Sequence, residues 1–554
     1  MAAYAITKAH FFNQYEAYMM ARLSAAQVFL AALGVFTILL FAYGLFFLNP
    51  RAKVNHPLPP GPKPRPLVGN LPDLPPAGAK EWLHWIKHKE LYGPISSLTV
   101  LGQTMILLND YKVAVELMEK RSAFNSSRPK LVFGSEMCGW EQALGLMPYS
   151  NKSRAYRKAL HTVLGTSAAI DPFRPLIELE TRRFLLKVLE NPQEVLQLIR
   201  TQAGSIILKI GYGYTIEPNT RDPLVDLAEE TLDQFSKSCM PGVWMVDVIP
   251  ALKYLPEWLP CTSFKRTARH WKATLHTAAE VPYKFVKEQL SNGTAEPSYL
   301  SKLLQDEHGS LSAEADDVAR WSAFSMYAGG ADTTVSSVAC FVLAMTLYPE
   351  VQREAQAEID AAIGTSRLPT FSDRGSLPYV NALVKEVLRW HPVAPMGVPH
   401  LTTKADVYDG YFIPEGSLLI PSIWAMLHDE AIYRDPEAFN PSRFLGPNAE
   451  PDPQNVSFGF GRRICPGKLF ADATLFSTIS GLLAVFDVRK CVENGKEIDP
   501  VVDFATGIIS HPKPFKCDIK PRSASHEKMI RSVEIEYPSP EHGDARHLPN
   551  VAVV

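Results

Sequence analysis

Net charge is almost missing from this chain: 56 lysines and arginines stand against 58 aspartates and glutamates, leaving −2. No field of one sign therefore advertises nucleic acid as a partner. Cysteine is sparse and scattered, at 138, 239, 261, 340, 465, 491 and 517. That odd set has neither zinc-site spacing nor a disulfide framework, which points to a reducing compartment. Internal repeats are absent. With 46% apolar and 21% charged residues, the composition excludes a disordered, collagen-like or coiled-coil chain. At 554 residues the length allows three or four domains or one large enzyme core.

Long apolar runs are missing except for one. Ala25 to Leu48 is 24 residues without a charged side chain, about 36 Å as a helix, enough to cross a hydrocarbon layer of about 30 Å. The run exceeds the hydrophobic region of a signal peptide, about 7 to 15 residues, which favours a retained anchor. Arg51, Lys53, Lys63 and Arg65 follow it, whereas Lys8, Glu16 and Arg22 precede it. The positive-inside bias then leaves 1–24 in the lumen, 25–48 in the membrane and everything after Pro50 in the cytosol. The sequons at Asn125, Asn151, Asn292 and Asn455 become chance matches.

Beyond the anchor, 49–66 is basic and proline-rich: PLPPGPKPRP from Pro57 to Pro66 predicts a stiff, extended spacer between anchor and body. Short apolar runs from Ile95 to Leu108, broken at Gly102, predict a hairpin. Most of the rest has helical periodicity. The longest helix is predicted from an N-cap at Ser312, with Glu314, Asp316 and Asp317 in its first turns, to Tyr348 before Pro349. It would run about 54 Å. A second helix opens with Pro378 and closes by Pro392, and His400 to Pro421 reads as a small sheet. Residues 523–554 are polar and proline-punctuated, the pattern of a mobile end.

The segment Phe458 to Gly467, FGFGRRICPG, sets one cysteine in a glycine-rich loop beside two arginines and before a helix starting near Lys468. Arginine charge and the positive end of a helix both favour thiolate over thiol. Such a sulfur suits a metal or a reactive role. Phosphate cradling is excluded, because GxGxxG fails at Ile464 and GxxxxGK[ST] fails in spacing and after Lys468. Elsewhere, Glu386 and Arg389 share a helix face at a spacing natural for an ion pair, which on its own is equally a solvated surface pair. The adjacent Gly329 and Gly330 in mid-helix cost about 1 kcal/mol each relative to alanine and so need a reason. Thr333 next to them is, taken alone, a residue that bonds back to its own helix.

Phe458, Gly461, Arg463, Cys465 and Gly467 match FxxGxRxCxG, the cysteine loop of the cytochrome P450 haem-thiolate monooxygenases, and the chain resembles that family from about Pro57 to Arg522. Glu386 and Arg389 resemble its ExxR motif and Arg443, in PSRF, its third partner, with a structural role in holding the haem pocket. Gly329 to Thr334 resemble [AG]Gx[DE]T[TS], which implies room for dioxygen beside the glycines and proton delivery by Asp332 and Thr333. Cys465 would be the axial ligand of haem b, with Arg463, Arg157 and His400 as candidates for the haem propionates. One departure stands out: Ser153 replaces the tryptophan of the family's WxxxR motif, so Tyr156 or Arg154 would take over part of that contact.

The resemblance, closest to microsomal fungal secondary-metabolism members, implies a mainly α fold with small β-sheets over 67–522, preceded by one N-terminal transmembrane helix and located at the endoplasmic reticulum. It also implies an external electron donor, NADPH-cytochrome P450 reductase and in some reactions cytochrome b5; Lys152, Arg154, Arg157, Lys158, Arg462 and Lys468 would form a basic face for it, or equally an ordinary solvated patch. Expected substrate contacts lie in 131–146, 324–328, 393–398 and 504–509. Val132, Phe133, Trp140, Met396 and Ile508 would make a lipophilic pocket, although an apolar lining is equally a core. Hydroxylation or epoxidation is the expected outcome. Desaturation, ring rearrangement or oxidative coupling on the same haem, and a non-catalytic membrane haem protein, are the alternatives.

Overall fold

The computed structural model describes residues 30, 32–37, 56–76, 78–240, 242–305 and 312–549. The expected lumenal segment lies outside these, as do most of the anchor and the hinge before 56. Within the anchor, residues 32–37 are helical and exposed.

Helices of 12 residues or more are α1 (Glu81–Tyr92), α2 (Asn151–Leu164), α3 (Arg174–Glu190), α4 (Val195–Tyr212), α5 (Pro223–Ser238), α6 (Ser263–Asn292), α7 (Ala313–Leu347), α8 (Pro349–Ile363), α9 (Pro378–Trp390), α10 (Lys468–Val485) and α11 (Ala524–Glu536). The sheets are small. β1 (Ile95–Val100) and β2 (Gln103–Leu108) form the expected hairpin, turning where Leu101 and Gly102 both take positive φ. β2 continues in parallel onto β6 (Leu418–Pro421), whose other edge pairs antiparallel with β3 (His400–Leu401). β4 (Asp406–Tyr408) and β5 (Tyr411–Ile413) form a separate ribbon.

The proline segment is extended but is no free spacer. Ser97 donates from its backbone N–H to Pro60 O and from Oγ to Pro59 O, and Phe412 N–H reaches Pro57 O at 2.7 Å. A Cβ at Gly61 would stand 1.8 Å from Ser97 O, so the chain lies directly against β1. Proline donates nothing, yet its carbonyls accept, and that is how the strip is fastened.

Helix α7 organises the body. Ser312 Oγ accepts Ala315 N–H at 3.1 Å, Glu314 and Asp316 lie in the first turn, and Pro349 follows the end. Its 35 residues run about 52 Å against α2, α4 and α10. α7 and α10 are both apolar enough to cross a membrane, but each is mostly buried inside the fold. Gly330 sets the α4–α7 spacing: a Cβ there would meet Ile207 Cγ1 at 2.7 Å. α9 starts where the Glu358 carboxylate of α8 accepts the Tyr379 and Val380 N–H groups at 2.7 and 2.9 Å.

The polar end is not loose over its described length. Arg522 holds Asp360 and Ala484 O, and α11 buries Ile530 and Val533 against the α3 face. Two apolar residues one turn apart are enough to dock a helix, and that signal is lost in average composition. Past α11, the Asp544 carboxylate accepts Thr215 N–H at 2.7 Å, and Glu217 accepts the Gly543 and Ala545 N–H groups.

Candidate functional site

The cysteine loop is wound by two glycines. Gly459 and Gly461 have φ of 76° and 54°, and a Cβ at Gly461 would sit 2.3 Å from Met118 O. No other residue fits there. Cys465 N–H closes the loop onto Phe458 O at 2.8 Å, and α10 begins at Lys468. The cysteine is accessible yet hemmed in by protein. Burial raises the pKa of its thiol, and this outweighs the Gly467 N–H and the Arg157 and Lys468 charges that lower it.

This corrects the expectation of a thiolate favoured by its local sequence. Arg462 turns to the Tyr149 hydroxyl, while Arg463 points into carbonyls and away from the sulfur. A metal coordinated at this sulfur would remove the proton outright.

The guanidiniums build the second feature. Buried Arg463 donates to Ser126 O (2.7 Å), Leu144 O (3.3 Å) and Met147 O (2.7 Å); burial and then Arg157 push its pKa down to about 10. Arg157 donates to Ile464 O at 2.8 Å, and its own pKa is lowered by burial. Arg128, which sequence reasoning missed, is buried with its donors on Gly145 O, Val398 O and Pro399 O; burial, Arg463 and Arg157 hold it well below the usual arginine range. His400 is buried, its Nδ1–H donating to Asn125 O at 2.7 Å, and is kept neutral by burial and by Arg128.

Among the described residues, none of these arginines forms an ion pair with a carboxylate. Clustered, mutually repelling guanidiniums without a counter-charge suit a ligand that brings its own anions. Arg128 left no motif to read; only its contacts across 270 residues of chain reveal it. The replacements expected for the missing tryptophan do not join the cluster. Ser153 is a buried capping residue of α2, Tyr156 lies in the core with Lys152 over its ring, and Arg154 sits at the surface on Asn151. Lys152 also leaves the basic patch, because Asp317 of α7 neutralises it at 2.6 Å.

Behind the loop, Glu386 and Arg389 are wholly buried and form a bidentate pair at 2.7 and 2.9 Å. Arg443 Nε reaches Glu386 Oε1 at 3.2 Å and its Nη1 reaches Glu450 at 2.8 Å; Asn440 N–H adds a bond to Glu386. Ser457 Oγ donates to Leu388 O, joining α9 to the segment that enters the cysteine loop. These side chains lock backbone in place and present no group to a reactant.

On α7, Thr333 Oγ donates to Gly329 O at 2.7 Å, and a Cβ at Gly329 would meet nothing within 4 Å, so this face borders open space. Asp332 turns elsewhere. It is buried, and Arg200 of α4 and His511 donate to its Oδ1 at 3.2 and 3.0 Å. Burial works to raise its pKa, but His511 and Arg200 together hold it below the usual carboxylate value. The hydroxyl and the carboxylate expected to act together thus point to different neighbours. Neither Arg200 nor His511 carried a sequence signal.

The expected substrate segments divide. Val132, Phe133 and Trp140 are core: Phe133 stacks on Trp244 at 3.6 Å, and Trp140 packs on Phe235 and Phe324. Met396, Val398, Ala328 and Ile508 are only partly buried. An accessible thiol, an anion-seeking arginine cluster and a helix face without side-chain bulk together fit a planar metal cofactor carrying carboxylates, as haem does.

Comparison with known proteins agrees with this geometry. A family model described as Cytochrome P450 matches residues 59–519. The cytochrome P450 monooxygenase ppsD of Aspergillus oryzae is 47% identical over 89% of this chain and 94% of its own. The cytochrome P450 monooxygenase claR of Ampulloclitocybe clavipes is 47% identical over 92% of this chain and 95% of its own. The O-methylsterigmatocystin oxidoreductase of Aspergillus flavus is 42% identical over 87% and 91%.

Proposed function

Because the chain belongs to the cytochrome P450 family, we propose that it is a membrane-attached haem-thiolate monooxygenase that inserts one oxygen atom from dioxygen into a lipophilic small molecule of fungal secondary metabolism. The observation that carries this reading is the accessible Cys465 at the entry to α10, beside arginines that lack a carboxylate partner among the described residues. Haem, when bound, supplies the activation of dioxygen with electrons from NADPH-cytochrome P450 reductase.

The chain's own residues do the rest. Cys465 would hold the haem iron through its sulfur, and Arg128, Arg157, Arg463 and neutral His400 would hold the propionates. Buried Glu386, Arg389 and Arg443 keep the loop and α9 in register. The Thr333 hydroxyl, on the open face of α7, passes protons inward, with Asp332 as their source. Met396, Val398, Ala328 and Ile508 offer apolar surface to the substrate and exclude water. Membrane attachment is supported by an exposed apolar strip between α5 and α6, with Met245, Tyr254 and Trp258 at 56%, 78% and 80% exposure. In this reading the catalytic body would lie on the cytosolic side of the endoplasmic reticulum, the orientation favoured by the charges that flank 25–48.

Two experiments test the reading. Reduced protein treated with carbon monoxide should show the absorbance band of sulfur ligation, and Cys465→His should abolish it; a wild-type protein that folds with haem but lacks the band refutes the assignment. Reconstituted with reductase, NADPH and an extract of the producing cells under labelled dioxygen, it should yield product carrying one labelled oxygen. Unlabelled product formed with oxygen consumption would exclude insertion.

A further inference from the structure

Of the 45 prolines in the chain, Pro540 alone follows a serine or threonine, in the stretch Tyr537-Pro538-Ser539-Pro540. That stretch bridges two fixed points. Behind it α11 is docked on α3, and ahead of it Asp544 donates its N–H to Thr215 O at 2.9 Å while its carboxylate accepts Thr215 N–H at 2.7 Å. Between them the chain is loosely held. Among the described residues, the backbone of 538–542 makes a single hydrogen bond, from Arg183 Nη2 to Pro538 O at 3.1 Å. Ser539 and Glu541 are exposed. The flanking prolines keep the strip extended, and few bonds must break for an enzyme to lift it.

Beside the strip is a recess of about 40 Å³ bordered by Ser539, Glu180, Arg183, Lys187, Thr201 and Thr215, room for about three waters or the three free oxygens of one phosphoryl group. Its charge is unbalanced. Buried Glu180 is already engaged, by Arg183 Nη1 at 2.8 Å and Ser205 Oγ at 2.5 Å, whereas Arg183 Nε is shielded from solvent and has no partner among the described residues. Lys187 lies one turn further along α3. It has neither ion pair nor hydrogen bond among the described residues, and burial pushes its pKa down although Glu180 pulls the other way. Arg182, over the Tyr537 ring at 4.8 Å, adds a third cation beside the strip.

We propose that Ser539 is a phosphorylation site for a proline-directed protein kinase, and that Lys187 and Arg183 bind the resulting phosphate monoester and so fasten the C-terminal strip to α3. In the transfer, Ser539 Oγ bonds to the γ-phosphorus of ATP as the bond to ADP breaks, and the hydroxyl proton passes to the kinase's base. The phosphate brings about two negative charges at neutral pH and up to about three charge-assisted hydrogen bonds. It offsets the cost of burying the Lys187 ammonium and meets the unpartnered Nε of Arg183. The inference stands apart from the haem-thiolate reading, whose residues lie elsewhere.

Full-length protein incubated with ATP and a proline-directed kinase of the mitogen-activated class should take up one phosphate, located at Ser539 by peptide mass, and Ser539→Ala and Pro540→Ala should take up none. An unmodified Ser539, with the kinase active on a control substrate, overturns the site. The seat is tested by cleavage after Glu541 with a glutamate-specific protease. Because the phosphate can hinder the protease directly, phosphorylated wild type is read against phosphorylated Lys187→Met, which keeps the apolar stem and loses the charge. Wild type should be cut about tenfold more slowly, while the two unphosphorylated proteins are cut alike; equal cleavage of the phosphorylated pair overturns the seat. Phosphorus NMR gives a second readout. The last ionisation of phosphoserine, ordinarily near about pH 6, should move to about pH 5 in wild type and return in Lys187→Met, and an unmoved titration in wild type counts against the seat in the same way.

Discussion

Arg128 shows how a single side chain takes its meaning from what its neighbours lack. Surrounded by carbonyls and by Arg157 and Arg463, its charge is a burden to the fold until an anion arrives. Arg128→Gln is therefore expected to weaken haem retention about tenfold without destabilising the haem-free protein; haem transfer to an excess of apomyoglobin and a melting curve of the stripped protein measure the two effects. Asp332 gives a prediction with a definite sign. Its folded pKa is depressed by His511 and Arg200 against the burial that opposes them, so its stabilisation is fully present above the unfolded value of about 3.9 and is lost as pH falls through the folded value. The stability gap between wild type and Asp332→Asn should thus be widest near neutrality and close with acidification below about pH 4, as melting midpoints along a pH series will report.

Elements are joined here by buried charge and by short apolar stripes. Glu386 neutralises two arginines from different segments with no solvent to share the load. Glu386→Gln should cost about 3 to 5 kcal/mol by stranding them, seen as a lowered unfolding midpoint and loss of bound haem. The spacing of Glu386 and Arg389 was readable as a helix pair, but its burial was not, because an i, i+3 pair has the same pattern on a surface as in a core. Helix α11 teaches a related lesson. Composition marks its segment as polar, yet Ile530 and Val533 align on one face and dock on α3. Removing residues 523–554 exposes that face, and at about 1.5 to 3 kcal/mol for each large apolar side chain the truncated enzyme should melt several degrees earlier. An unchanged midpoint would mean that the end is as loose as its composition suggests.

At the scale of the whole molecule, the proposed membrane attachment would draw on both the run 25–48 and the exposed strip around Met245, Tyr254 and Trp258. Deletion of 1–55 should therefore leave measurable binding to phospholipid vesicles, and adding Tyr254→Ser and Trp258→Ser should abolish it in a flotation assay. The features already legible in the chain are those made by neighbours in sequence: the Ser312 cap, the turn at Gly102, the glycine-wound cysteine loop and the proline that opens α9. Each is dictated by local sterics and hydrogen bonding, which act over a few residues. Folding alone settled the direction of Asp332, the recruitment of Arg128, Arg200 and His511, the diversion of Lys152 to Asp317, and the net rise of the Cys465 thiol. These depend on groups 270 residues and more apart in the chain and on whether burial or charge prevails at one point in space, a balance of long-range terms that no short stretch of sequence contains.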